Sequence, residues 1–178
     1  MPDLIEAEAA GRRLKFLFFW GHTGPAGRGI GPHVLSQWFE HPFAVEDVTY
    51  LSAEHYMMAS KARLFDDEEH LALILDAASP GEAKAHGRAV RGFEEATWQR
   101  HRFDIVVRGS IAKFSSDDEL RSYLVGTGER ILVEASPRDR VWGIGMSRDD
   151  PEAEHPSRWR GLNLLGFALM EARAALAS

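Results

Sequence analysis

Between Ser52 and Phe65 a glutamate and a lysine occupy the middle of what should be the apolar face of a helix. At about 100° per residue, Met57, Met58, Leu64 and Phe65 fall on one arc, with Glu54 and Lys61 at its centre. His55 and Arg63 project elsewhere, as solvated residues should. Ionisable groups aimed at an interior are costly unless they are paired, wetted by a cleft or used. A carboxyl in an apolar cleft has a raised pKa and serves as a proton donor. A desolvated lysine has a lowered pKa and can attack a carbonyl carbon to form an imine. The two are about 10 Å apart along the axis, too far for a direct pair, yet their side chains can converge on a ligand. The bland alternative is that each snorkels or pairs with another helix.

Other groups are candidates of lesser specificity. Asp139 and Trp142 stand on a turn, followed by Gly143 and Gly145, where glycine permits close backbone approach or simply eases a bend. Asn163 and Arg173 flank the apolar face of the last helix, and an ordinary structural pair explains Arg173 equally well. Arg12, Arg13, Lys15, Lys84, Arg88 and Arg91 are enough to build a local phosphate pocket. Trp20, Trp38, Trp98, Trp142 and Trp159 all lie near Gly, Pro or charged residues, which suits core packing or stacking on a heterocycle. No histidine pair has HxxxH or HExxH spacing, so no metal site is expected. GxSxG and GxGxxG are absent, which removes the usual serine-hydrolase and dinucleotide signatures.

These residues must be positioned by a fold that the pattern places in the α+β class: one domain, mostly helical, with a small sheet. The chain has 178 residues, 44% hydrophobic and 27% charged, enough for a single core. It has no Cys, hence no disulfide and no thiolate chemistry. The net charge of −6 argues against sequence-independent binding along a nucleic-acid backbone. No apolar run reaches membrane-spanning length and the first residues do not form a secretory signal, so a cytoplasmic protein is expected. Residues 1–13 read as a tail and 14–178 as the domain.

Phe16–Phe19 reads as a buried strand, and Gly21–Pro32 as a glycine-rich loop. Trp38-Phe39 and Phe43–Val45 suggest a strand pair turning at Pro42. Ser52 is an N-cap, and Leu71–Ala78 has helical periodicity. Ser79-Pro80-Gly81-Glu82 and Ser116-Asp117-Asp118-Glu119 are capping boxes. Phe93 to about Phe114 is a long central helix, and Gly126 and Gly128 end the next one. Arg130–Ala135 and Val141–Gly145 read as strands joined by a turn at Ser136–Asp139. Residues 146–158 form a polar loop, and Leu162–Leu176 closes the chain as a helix with Leu162, Leu165, Leus 169 and 176 on one face.

The stretches SAEHYMMASKARLF, SPGEAKAHGRAV, KF, LVEASPRDRVWGIG and WRGLNLLGFALMEAR together resemble the NADAR family, also called YbiA-like. The resemblance runs in order from about Phe16 to Arg173, and no single short motif carries it. It implies a YbiA-like domain and an N-glycosidase that needs no cofactor. The implied substrates are ribosylamino-pyrimidine 5′-phosphates, early intermediates of riboflavin synthesis. Relatives that remove ADP-ribose from guanine in nucleic acid supply an alternative substrate, and a non-catalytic nucleotide-sugar binding module is a third reading. By motif, Glu54, Trp98, Asp139 and Trp142 match residues expected to matter for activity, and Lys61 matches the family lysine of the same helix. Glu54 would handle protons at the anomeric centre and Lys61 would capture C1 or hold charge. Asp139 would position sugar or water, with Trp98 and Trp142 flanking the base. Lys84, Arg88, Gly143 and Asn163 complete the expected substrate contacts.

Overall fold

The computed structural model describes residues 2–24 and 29–178. Among these, seven α-helices surround two small pairs of strands, an α+β domain as the sequence predicts. Strand β1 (Phe16–Phe19) lies parallel to β4 (Ile131–Glu134), with Phe16 opposite Ile131 and Phe19 opposite Glu134. Strands β2 (Glu40–Val45) and β3 (Val48–Ser52) form an antiparallel hairpin. The helices are α1 (Pro2–Ala9), α2 (Ala53–Leu64), α3 (Glu68–Asp76), α4 (Pro80–Arg88), α5 (Glu95–Ser115), α6 (Asp118–Gly126) and α7 (Leu164–Ala177). None is long and apolar enough to cross a membrane. The glycine-rich loop expected over Gly21–Pro32 includes residues 25–28, which lie outside the described residues.

Helix α5 is central, packing against α2, α6, α7 and β2. Its buried Ile105, Val106 and Phe114 join Met57, Met58, Leu165 and Leu169 in the main core. A smaller core of Ile131, Val133, Ile144 and Met146 covers the other face of β4, with Leu4 of α1 and Trp159 against it. The first thirteen residues, expected as a tail, therefore contain a docked helix. Its Glu8 accepts hydrogen bonds from the Ser157 N–H and the His155 ring.

Several local expectations change. The hairpin turns at Glu46-Asp47, both at positive φ (50° and 64°), while Pro42 sits inside β2 at an irregularity between Glu40 and Phe43. Trp38-Phe39 is turn rather than strand. Asp117, not Ser116, caps α6, accepting from the Glu119 and Leu120 N–H groups, while the Ser116 hydroxyl donates back to the Lys113 carbonyl. Leu162 precedes α7 and is 47% exposed, off the face that Leu165, Leu169 and Leu176 bury. Residues 141–145 form no strand. Their one backbone bond to β4 is Ile144 N to Glu134 O (2.9 Å), because the Asn163 side chain takes the neighbouring groups, accepting from Glu134 N (3.0 Å) and donating to Leu132 O (2.9 Å).

Candidate active site

Five segments meet at one cleft: the residues after β1 at Trp20–His22, the turn at Ser36–Trp38, the start of α2, the inner face of α4, and the end of β4 with its following loop. The last four are each held by a local device. Ser52 Oγ accepts from His55 N and lies 2.8 Å from His55 Nδ1, which fixes the first turn of α2. The Glu54 N–H donates to Gln37 O (3.0 Å), tying that turn to the Ser36–Trp38 segment. The segment is itself anchored by Lys113, fully buried on α5, whose Nζ donates to Val34 O (2.7 Å) and Ser36 O (2.9 Å). Burial pulls the Lys113 pKa down to about 7. Pro80 at the first position of α4 and the Ser79 cap, which accepts from Glu82 N, set the direction of α4. Asp139 folds the last segment. Its Oδ1 accepts from Val141 N (2.8 Å) and Trp142 N (2.7 Å), and its N–H donates to Ser136 Oγ (3.2 Å).

At the bottom is a chamber of about 50 Å³ whose walls include Trp38, Glu54, Lys84, Glu134, Asp139 and Trp142. Lys84, Glu134, Asp139 and Trp38 also line a wide lobe of about 780 Å³, completed by Trp20, His22 and Arg88. A second lobe of about 580 Å³ shares Lys84, Arg88, Arg138 and Asp139, and adds Phe93, Trp98, Arg102, Arg140 and Trp142. Lys84 and Asp139 thus stand where all three spaces adjoin.

Two carboxyls here are driven toward the neutral form. Glu54 is 2% exposed, and its Oε1 has no hydrogen-bond partner. Burial pushes its pKa up to about 7; Asp139 adds to the rise, and Lys84, Trp38 and Arg88 oppose it. Glu134 is pushed up to about 8, again chiefly by burial, with Asp139 and Glu54 raising it and Lys84 lowering it. Its Oε2 is likewise unpartnered. A buried polar atom without a partner is rare in a native fold, and two of them face one cleft here. The arrangement can hold a proton, release it beside a bond that gains charge, and shelter the exchange from bulk water. Among the described residues no group of three His, Asp or Glu stands close enough to hold a metal ion.

The predicted residues are only partly brought together. Glu54, Asp139, Trp142, Lys84 and Arg88 line the cleft, and Trp98 walls its second lobe. Lys61 does not line any of these spaces. Its Nζ donates to Gly87 O (2.7 Å) and sits 4.2 Å from the Phe93 ring centre, behind the aromatic wall. Burial lowers its pKa, with Glu95 opposing. The lysine that faces Glu54 is Lys84, contributed by α4. Asn163, expected as a ligand contact, has its side chain committed to the β4 backbone and is fully buried. Gly143 serves close packing: a Cβ there would come 2.8 Å from Glu134 O and 3.1 Å from Asp139 O. Arg91 pairs with Asp67 and Glu69 instead, and Arg12, Arg13 and Lys15 lie outside the cleft. Arg173 donates to Thr127 Oγ1 and Arg130 O, a structural role. His55 is buried, not solvated, satisfied by Ser52 Oγ and by Ala77 O.

Glu134, Arg102, Arg138 and Arg140 escaped the sequence reading. For Glu134 a signal existed: a carboxylate directly after the buried Ile131-Leu132-Val133, at the C-terminal end of the strand.

A family model described as the NADAR domain matches residues 18–177. N-glycosidase R617 of Acanthamoeba polyphaga mimivirus is 40% identical over 164 residues, covering 89% of this chain and 95% of that protein. The chloroplastic riboflavin biosynthesis protein PYRR of Zea mays is 33% identical over 135 residues, 72% of this chain but 20% of the maize protein. The NMR structure of the Escherichia coli protein YbiA superposes with a TM-score of 0.73 at 28% identity, over 92% of this chain and 85% of that one.

Proposed function

The chain belongs to the NADAR domain family and is a hydrolase of N-glycosyl bonds; we propose that it cleaves ribosylamino-pyrimidine 5′-phosphates to release ribose 5-phosphate. The observation that carries this reading is Glu54, a buried carboxyl with a free oxygen at the foot of an aromatic and cationic cleft. Similarity to a riboflavin biosynthesis protein supports the choice of aglycone. The base rests in the lobe lined by Trp20 and Trp38, indoles of a kind that suits a flat heterocycle. This revises the role expected of Trp98 and Trp142, which wall the other lobe. That lobe is bordered by Arg88, Arg102, Arg138 and Arg140 and suits the phosphate.

The anomeric carbon then lies over the deep chamber. Glu54 handles the proton traffic at that carbon, and its raised pKa lets it exist in either state near neutral pH. Lys84 places a positive charge that acts on both Glu54 and Glu134. Asp139 keeps the loop of Trp142 folded against the site and presents its other oxygen to sugar or water.

The test is release of ribose 5-phosphate from the ribosylamino-pyrimidine phosphates by the purified protein. Glu54→Gln should lower kcat by roughly 10²–10⁴-fold. Absence of turnover by the wild type, with equal ligand binding by both proteins, would leave only a binding module. The second lobe favours one other reading, in which an ADP-ribose unit fills both lobes and a guanine is the aglycone. Activity confined to an ADP-ribosylated oligonucleotide would select it.

A further inference from the structure

Glu134 is a half-buried residue with a buried carboxyl oxygen, and the reaction as described leaves it idle. It is held at the last residue of β4: its N–H donates to Asn163 Oδ1, and its carbonyl accepts from Ile144 N. The side chain therefore projects from a backbone fixed on both sides, and its Oε2 reaches a place where nothing in the protein bonds it. Its position differs from that of Glu54 in one respect. Glu54 lines the deep chamber alone, whereas Glu134 lines both the chamber and the lobe of Trp20 and Trp38. In the reaction proposed above the aglycone occupies that lobe, and the atom that must gain a proton is its exocyclic nitrogen. Glu134 stands on the nitrogen side of the scissile bond and Glu54 on the sugar and water side.

On the basis of that proposed reaction, we infer that Glu134 is a second catalytic residue, which gives its proton to the departing nitrogen while Glu54 receives the proton of the attacking water. The C1–N bond breaks with its electron pair going to nitrogen, and Glu134 protonates that nitrogen to yield the free amine. Water adds to C1 and loses one proton to Glu54. Transfer of that proton from Glu54 to Glu134, across the chamber they share or through solvent, restores the starting state. Burial and the neighbouring Asp139 favour the neutral form of both carboxyls, so the division of labour rests on where each one stands. Lys84, Arg88 and Trp38 are the groups that favour ionisation of Glu54, and Lys84 alone does so for Glu134.

Leaving-group dependence tests the assignment. Glu134→Gln and Glu54→Gln are each assayed on a ribosylamino-pyrimidine 5′-phosphate and on 4-nitrophenyl riboside 5-phosphate, whose phenolate departs without a proton. Glu134→Gln should lose about 100-fold or more on the first substrate and stay within about threefold of wild type on the second. Glu54→Gln should lose heavily on both. Equal losses on both substrates for Glu134→Gln, or none on either, would overturn the assignment. If the wild type turns over neither substrate, the proposed function itself fails. Carboxyl ¹³C NMR of the wild type then judges Glu134 separately: a neutral carboxyl at pH 7 that titrates together with Glu54 supports it, and an ionised one overturns it. The same titration serves if Glu134→Gln does not fold.

Discussion

Replacing Glu54 by Gln should stabilise the protein, and only above a definite pH. The Glu54 pKa is raised from an ordinary 4.5 to about 7 because its carboxylate is cut off from water. A carboxyl whose folded-state pKa is raised contributes stability that is fully present below the unfolded value and lost as pH climbs through the folded one. Between pH 4.5 and 7 the wild type therefore forfeits roughly 3 kcal/mol that a neutral amide of the same shape does not. Ionisation of Glu134 near pH 8 acts in the same direction, and removal of the Glu54 charge relieves part of it. At pH 4, where both side chains are neutral and near-isosteric, the two proteins should differ far less than they do at pH 8. At pH 8 the variant should be more stable by about 3 kcal/mol, or roughly 6–12 °C in Tm for a domain of this size. Calorimetric or urea unfolding at pH 4, 6 and 8 measures the difference directly. Parallel stability curves across that range would mean that Glu54 is ionised and well solvated in the native state, and the reasoning about the site would fall with it.

Three further outcomes follow from the packing. Asn163→Ala removes the side chain that bonds Leu132 O and Glu134 N at a residue with φ of 53°, so stability should drop by about 3 kcal/mol; denaturant melts check this, and a loss under 1 kcal/mol would contradict it. Gly143→Ala drives a Cβ into the Glu134 and Asp139 carbonyls, so about 1–3 kcal/mol and at least about tenfold of kcat should be lost together. Unchanged kinetics in that variant would show that the loop tolerates displacement. Borohydride added during turnover should leave Lys61 unmodified, because its Nζ is engaged by Gly87 O and Phe93; peptide mass mapping that found a Lys61 adduct would refute this placement.

What could be read from the sequence follows from where the information resides. The caps at Ser52 and Ser79 are local, and they put α2 and α4 where expected. The helical wheel correctly aimed Glu54 inward, since burial of one face depends on periodicity alone. It could not say which element meets that face at each height. Near Lys61 the neighbour is the end of α4 at Gly87, and near Glu54 it is Lys84 one turn earlier, so periodicity alone did not reveal that Lys84 lines the chamber. The hairpin turn escaped because Glu46-Asp47 adopts positive φ without the Gly or Asn that normally announces it. The strand expected at 141–145 failed for a non-local reason, the Asn163 amide standing in for a ladder partner. Glu134 had a signal, a carboxylate closing an apolar strand, but which cavity a strand end faces depends on distant segments.

The parallel pairing of β1 with β4 has a consequence for synthesis. Phe16–Phe19 is synthesised well before its partner, Ile131–Glu134, with β2, β3 and α2 to α6 between them. Until then an apolar strand waits with its hydrogen-bonding edge open, a state prone to association with other chains. The same late arrival brings Glu134 and Asp139, so no ribosome-bound fragment ending before that point carries an assembled site. Nascent chains of this protein would be expected to need shielding at their N-terminal strand, and to become active all at once rather than by degrees.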